Sequence, residues 1–140
     1  MKELFSGTIR LNTKCSSVVS FVSTIKYPFR INWKLSRVSL SGLAGAVAAS
    51  GGVGTISGIH PGYREADFQE NPFKANLRAI GKELEKAKET APDGIIGFNF
   101  MTVMNHYEEY VREAITAGAD FIVSGAGLPV ALAKIAAGSD

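Results

Sequence analysis

Among the polar residues of this chain, Asn99 has the setting best suited to ligand chemistry, because it closes the apolar run IIGFNF at residues 95–100. A carboxamide at a strand end can donate and accept at once, which suits the edge of a flavin ring or a hydroxyl of a phosphate-linked ribityl chain. Turn capping is the other role open to it. Ser124-Gly125-Ala126-Gly127 follows a second apolar run and precedes a helical pattern, so its backbone N–H groups are unobstructed where an anion or cofactor ring could rest. Tight strand-to-helix turns use glycine for conformational reasons as well. His60 lies in a loop beyond a strand end and His106 near a helix start. Each is a possible general base, yet neither has a carboxylate or second histidine at catalytic or metal spacing, and both read as surface or capping residues. No catalytic residue and no metal site are assigned.

These residues need a scaffold, and the chain from Ser39 onward supplies one in its rhythm of short β-branched runs and longer helical patterns. A helix is expected over Leu40–Ala49, capped by Ser39 and stopped by Gly51-Gly52. Its many small residues allow close packing. Val53–Ser57 reads as a buried strand, followed by a polar loop over Gly58–Glu70. Asn71-Pro72 opens the next helix, with Phe73, Leu77, Ile80, Leu84 and Ala87 on one face and a solvated run of Lys and Glu on the other. Pro92-Asp93-Gly94 turns the chain into the strand that carries Asn99. A third helix is expected over His106–Ala117, capped by Asn105, with Glu108 and Glu109 in its first turn and Gly118 as its stop. Phe121–Ser124 is the third strand and Val130–Ala137 the last helix. The sheet should be parallel, with ligands at the C-terminal ends of its strands: Ser57–His60, Asn99–Met101 and Ser124–Gly127.

A chain of 140 residues with 46% hydrophobic content and 20% charge can bury a core, which argues against a disordered segment. The formal charge of +2 conceals a step. Residues 1–38 carry seven basic groups and one acid, +6, so the remaining eight basic groups and twelve acids give −4. Cys15 is the only cysteine, which excludes an internal disulfide and fits a reducing cytoplasm. Ser16–Ile25 is too broken by serine for a signal peptide, and no run approaches the ~18 apolar residues of a membrane helix. The aromatic and basic stretch at Tyr27–Lys34 lacks any RNA-binding signature and stands beside an acidic remainder, so no nucleic-acid partner is expected. A strand near Val18–Ile25 is the one element expected before Val38.

Taken together, Leu40–Ser57 (LSGLAGAVAASGGVGTIS), Gly97–Met101 (GFNFM) and Ala117–Pro129 (AGADFIVSGAGLP) resemble, in order and spacing, the early strands and helices of the FMN-dependent nitronate monooxygenase family. That family, also called 2-nitropropane dioxygenases, includes the flavin enoyl-acyl-carrier-protein reductases. The resemblance covers nearly all of residues 39–140 and implies the N-terminal part of a TIM (β/α)8 barrel, a fold that typically needs ~250 residues. It implies FMN at the strand ends, with Asn99, Met101, Ser124 and Gly125 as its contacts. It further implies a small-molecule substrate, either a nitronate with oxygen or an enoyl thioester with NAD(P)H. Family members begin with a strand and a glycine- and methionine-containing loop, and Pro28–Val38 (PFRINWKLSRV) stands in that place. Residues 1–38 therefore read as a segment foreign to the barrel, joined near Ser39 by a frame shift. The family's catalytic histidine and phosphate-gripping loops would lie beyond Asp140. The expectation is a truncated barrel that is inactive and prone to self-association when alone; a non-catalytic half-barrel that joins another chain, or a sugar-phosphate-binding barrel, are the other readings.

Overall fold

The computed structural model describes residues 18–19, 39–128 and 130–137. The strands are β1 (Val18–Val19), β2 (Val53–Ser57), β3 (Ile95–Met101) and β4 (Ile122–Gly125). The helices are α1 (Ser41–Ala49), α2 (Pro72–Thr90), α3 (Tyr107–Thr116) and α4 (Val130–Ala137). All pairings are parallel and the sheet order is β1-β4-β3-β2. The chain thus has the expected α/β class, with parallel strands alternating with helices. Strands β2, β3 and β4 stand side by side in chain order, whereas β1 lies beyond β4 rather than beside β2. Of the strand expected over Val18–Ile25, only Val18–Val19 is described; Cys15, the Ser16-Ser17 start of the serine-broken stretch and the Tyr27–Lys34 patch lie outside the described residues.

Strand periodicity divides the sheet into two unlike faces. Ile56, Phe98 and Ile122 are register partners and belong to the buried cluster formed with the helices, as do Ile96 and Phe100. Each helix packs on its neighbour in sequence, α1 on α2, α2 on α3 and α3 on α4, so the helices form one layer. Gly54 shows how close that layer lies, since a Cβ there would come within 2.3 Å of the Ala44 carbonyl oxygen of α1. The alternate residues, Thr55, Ser57, Gly97, Asn99 and Val123, take the opposite face.

Helix α2 begins as expected. Its N-cap Asn71 accepts from the Lys74 N–H at 3.1 Å and Pro72 follows at the first helical position. Helix α1 does not. Ser39 is no cap; its hydroxyl donates to the Thr55 carbonyl at 2.7 Å, and its own carbonyl accepts from the Ser57 N–H at 2.7 Å. The N-cap position falls to Leu40, and the Ser41 N–H donates instead to Glu83 Oε2 at 2.9 Å. Glu83 is therefore not one of the solvated charges of α2. It is buried at 6% exposure, where its carboxylate meets the positive end of α1. Both bonds link residues distant in sequence, beyond the reach of local capping rules. The left-handed glycines Gly51 and Gly118 end α1 and α3 as expected.

At the N-terminal edge of the sheet, Asp120 joins three elements. Its Oδ2 accepts from Lys88 Nζ at 2.6 Å and from the Ile96 N–H at 2.7 Å, while Lys88 also donates to the Gly94 carbonyl at 2.8 Å. Asp120→Ala leaves a strand N–H and an ammonium short of an acceptor, and should destabilise the fold by about 1–3 kcal/mol in chemical denaturation. A loss indistinguishable from zero would mean that water replaces the carboxylate without cost.

Candidate functional site at the strand ends

Each of the three β-to-α loops among the described residues carries a non-glycine residue in left-handed conformation: His60 after β2 (φ 50°), His106 after β3 (φ 61°) and Ala126 after β4 (φ 59°). Such strain persists only where the surrounding structure over-determines it, and it clusters at functional sites. The over-determination is visible. The loop after β2 starts at Gly58, whose N–H donates to the Asn99 carbonyl at 2.8 Å and whose Cα sits so close to the Phe100 ring that a Cβ would lie 2.1 Å from it. Further on, the Gly62 N–H donates to Asn76 Oδ1 at 3.0 Å, and Asn76 Nδ2 donates to Tyr110 Oη at 3.2 Å, so a buried amide ties this loop to α2 and α3. Glu65 pairs with Lys82 at 2.9 Å and Asp67 pairs with Arg78, adding exposed ion pairs to α2. The loop after β4 is fastened to β3 through Thr102, whose N–H donates to the Gly125 carbonyl at 2.9 Å and whose hydroxyl donates to the Ala126 carbonyl at 3.0 Å.

Asn99 sits at the centre of this edge. It is buried at 8% exposure, and its carboxamide makes no hydrogen bond to any other described residue. A turn-capping asparagine would have spent that group on the backbone. Met101 ends the same strand, its N–H directed at Met104 Sδ at 3.5 Å. Its register partner Gly125 has open space where a side chain would stand. Asn99, Met101 and Gly125 therefore share the face opposite the described helices. Ser124 lies on the other one, in register with Phe100, where its hydroxyl and Tyr107 Oη share a buried hydrogen bond of 2.6 Å. Thr55 and Ser57, by contrast, join Asn99 on the face opposite the described helices, a grouping the sequence signals only once the β2–β3 register is known.

The histidines stay apart from these residues. His60 meets Phe68 edge-on at 5.7 Å. His106, not Asn105, occupies the N-cap of α3, with no side-chain cap bond. Its ring lies 4.2 Å from that of Phe73 and its Nδ1 is 3.3 Å from Glu109, whose carboxyl is held below the usual range by its own backbone N–H and then by His106. A groove of about 600 Å³ opens beside the strand ends between the loops after β3 and β4, lined in part by Thr102, Met104, Tyr107, Arg112 and Leu128. Among the described residues, no group of three or more His, Cys, Asp or Glu could hold a metal ion, and no helix is long and apolar enough to cross a membrane.

Burial raises the Tyr107 phenol above its ordinary 10.0, outweighing the opposing hydrogen bond to Ser124. A group whose folded pKa exceeds its unfolded value stabilises the fold fully below the unfolded pKa, and loses that contribution as pH climbs through the folded one. Stability should therefore fall above pH 10.0 in a step that Tyr107→Phe lacks, as read by denaturation at a series of alkaline pH values. Identical alkaline profiles for the two proteins would show that Tyr107 ionises without penalty.

A scan of the chain against known protein families and a search of curated proteins both find no match.

Proposed function

We propose that this chain supplies the flavin-binding strand ends of an FMN-dependent oxidoreductase of the nitronate monooxygenase type, acting on alkyl nitronates with molecular oxygen. The observation that carries this reading is Asn99: a largely buried residue at a strand end, on the face opposite the described helices, whose carboxamide makes no hydrogen bond to another described residue. Gly125 beside it leaves room for a ring, and Met101 offers an apolar contact. Three parallel strands in chain order with their helices in one layer support this reading, since the wall of a barrel of the type the resemblance implies would have that arrangement. Ser124 would act through the loop it holds with Tyr107 rather than through a free hydroxyl.

When bound, FMN supplies the redox chemistry, taking an electron pair from a nitronate and passing it to oxygen. The protein's share is to bind and orient. Asn99 would fix a heteroatom edge, and the strained loops, held by Asn76 and Thr102, would keep the strand ends preformed. The groove favours a second reading, an FMN-dependent enoyl-acyl-carrier-protein reductase, because exposed Leu128, at 87% exposure, and Met104 line it and suit a longer amphiphilic thioester.

Titrating the purified chain with FMN, followed by flavin absorption and fluorescence quenching, tests the shared core of both readings. Saturable uptake is expected, and its absence would contradict them. Bleaching of the bound flavin by an alkyl nitronate in the absence of air would then favour the first reading, and bleaching by NAD(P)H the second.

A further inference from the structure

The sheet is packed on both faces, and the described helices account for only one of them. On the other face Thr55, Ser57 and Val123 are all buried, and Phe121 fills the space over Gly97. No described helix packs there. The Thr55 hydroxyl is buried without a hydrogen-bond partner, which is what an apolar cover leaves beneath it.

The course of the chain supplies that cover. Val18–Val19 pairs with β4 at one border of the sheet. Ser39 stands at the other border, outside β2, where its carbonyl accepts from the Ser57 N–H at 2.7 Å. Residues 20–38, which lie outside the described residues, must join these two points across four strand spacings, roughly 19 Å in all. Nineteen residues have an extended reach of ~60 Å, which is ample. Exposure rules out the other routes. Arg78, Lys82 and Glu85 are exposed on the outside of α2, so no segment runs over the helix layer there. Ile95 at the N-terminal edge and Val103 at the C-terminal edge are exposed as well.

The sequence of the joining segment has the pattern that such a position needs. Every second residue from Ile25 to Leu35 is apolar: Ile25, Tyr27, Phe29, Ile31, Trp33 and Leu35. Lys26, Arg30 and Lys34 stand between them. In an extended chain alternate residues face opposite sides, so this run has one apolar side and one cationic side. The net +6 of residues 1–38 also complements the −4 of the remainder.

We infer that residues 20–38 pack across the face of the sheet opposite the described helices, with the apolar side of Ile25–Leu35 against Thr55 and Val123, so that this face is covered from within the chain. The inference goes beyond the flavin reading and does not depend on it.

Nuclear Overhauser contacts in the full chain, recorded without ligand, test it whatever the outcome of an FMN titration. Contacts are expected from the Thr55 γ-methyl and the Val123 methyls to side-chain protons of residues 25–35. In a mixture of labelled and unlabelled chains they should arise within one chain. Their absence from the folded protein would overturn the inference, and contacts found only between chains would make the occupant a second copy. Charge placement gives an independent check. Ile31→Asp, on the apolar side, should lower the folding equilibrium constant at least about tenfold in denaturant titration, whereas Asn32→Asp, on the polar side, should change it by less than about threefold. Equal effects of the two substitutions would overturn the inference.

Discussion

Phe100→Ala should cost about 3–5 kcal/mol of unfolding free energy, the range for deleting a fully buried aromatic side chain. Phe100 is at 0% exposure, its ring stacks 5.7 Å from that of Phe98, and it forms the floor on which Gly58 turns the chain out of β2. Removing the ring both empties the core and takes away the surface that fixes the loop after β2. Denaturant titration would register the first effect, and faster amide exchange across residues 58–62 the second. A loss below about 1 kcal/mol would mean that the helices collapse into the vacancy, and that the close packing of this edge is not what holds the loop.

Asn99→Leu should separate function from stability. Leucine keeps the volume, and the carboxamide it removes makes no hydrogen bond to another described residue, so the unfolding free energy should change by less than about 1 kcal/mol. FMN affinity should fall by about 10–100-fold, equivalent to losing one or two hydrogen bonds in a buried site. A variant that loses stability and keeps its FMN affinity would assign Asn99 to the fold and not to the ligand.

Much of the scaffold was legible because local rules govern it. The Asn71-Pro72 start of α2, the run VGTIS and the stops at Gly51 and Gly118 each depend on residues close in sequence, and the structure has them where periodicity and capping chemistry place them. The failures share a different cause. Ser39 has the right type for an N-cap, but β2 offers it a carbonyl at 2.7 Å, and the cap of α1 comes from Glu83 on another helix. Asn105 likewise yields the start of α3 to His106, which adopts a left-handed conformation there. Within the candidate site, Asn99, Met101 and Gly125 could be named from the chain because strand ends are recognisable. Thr55 could not, since its significance depends on which residue stands opposite it in the neighbouring strand. Ser124 is the converse case: the resemblance implies a flavin contact, and only the fold reveals Tyr107 against its hydroxyl. The place of β1 beyond β4 is a pairing choice that no local pattern encodes.

We propose that a flavin binds at the C-terminal ends of β2, β3 and β4, on the face opposite the described helices. Backbone amide chemical-shift mapping by nuclear magnetic resonance during an FMN titration tests it most directly. The amides of Ser57, Asn99, Met101 and Gly125 should shift together and saturably, while those of Ile95, Ile96 and Asp120 at the opposite edge stay in place. Shifts confined to the opposite edge or to the outer surfaces of the helices, or no shifts at any FMN concentration, would contradict it.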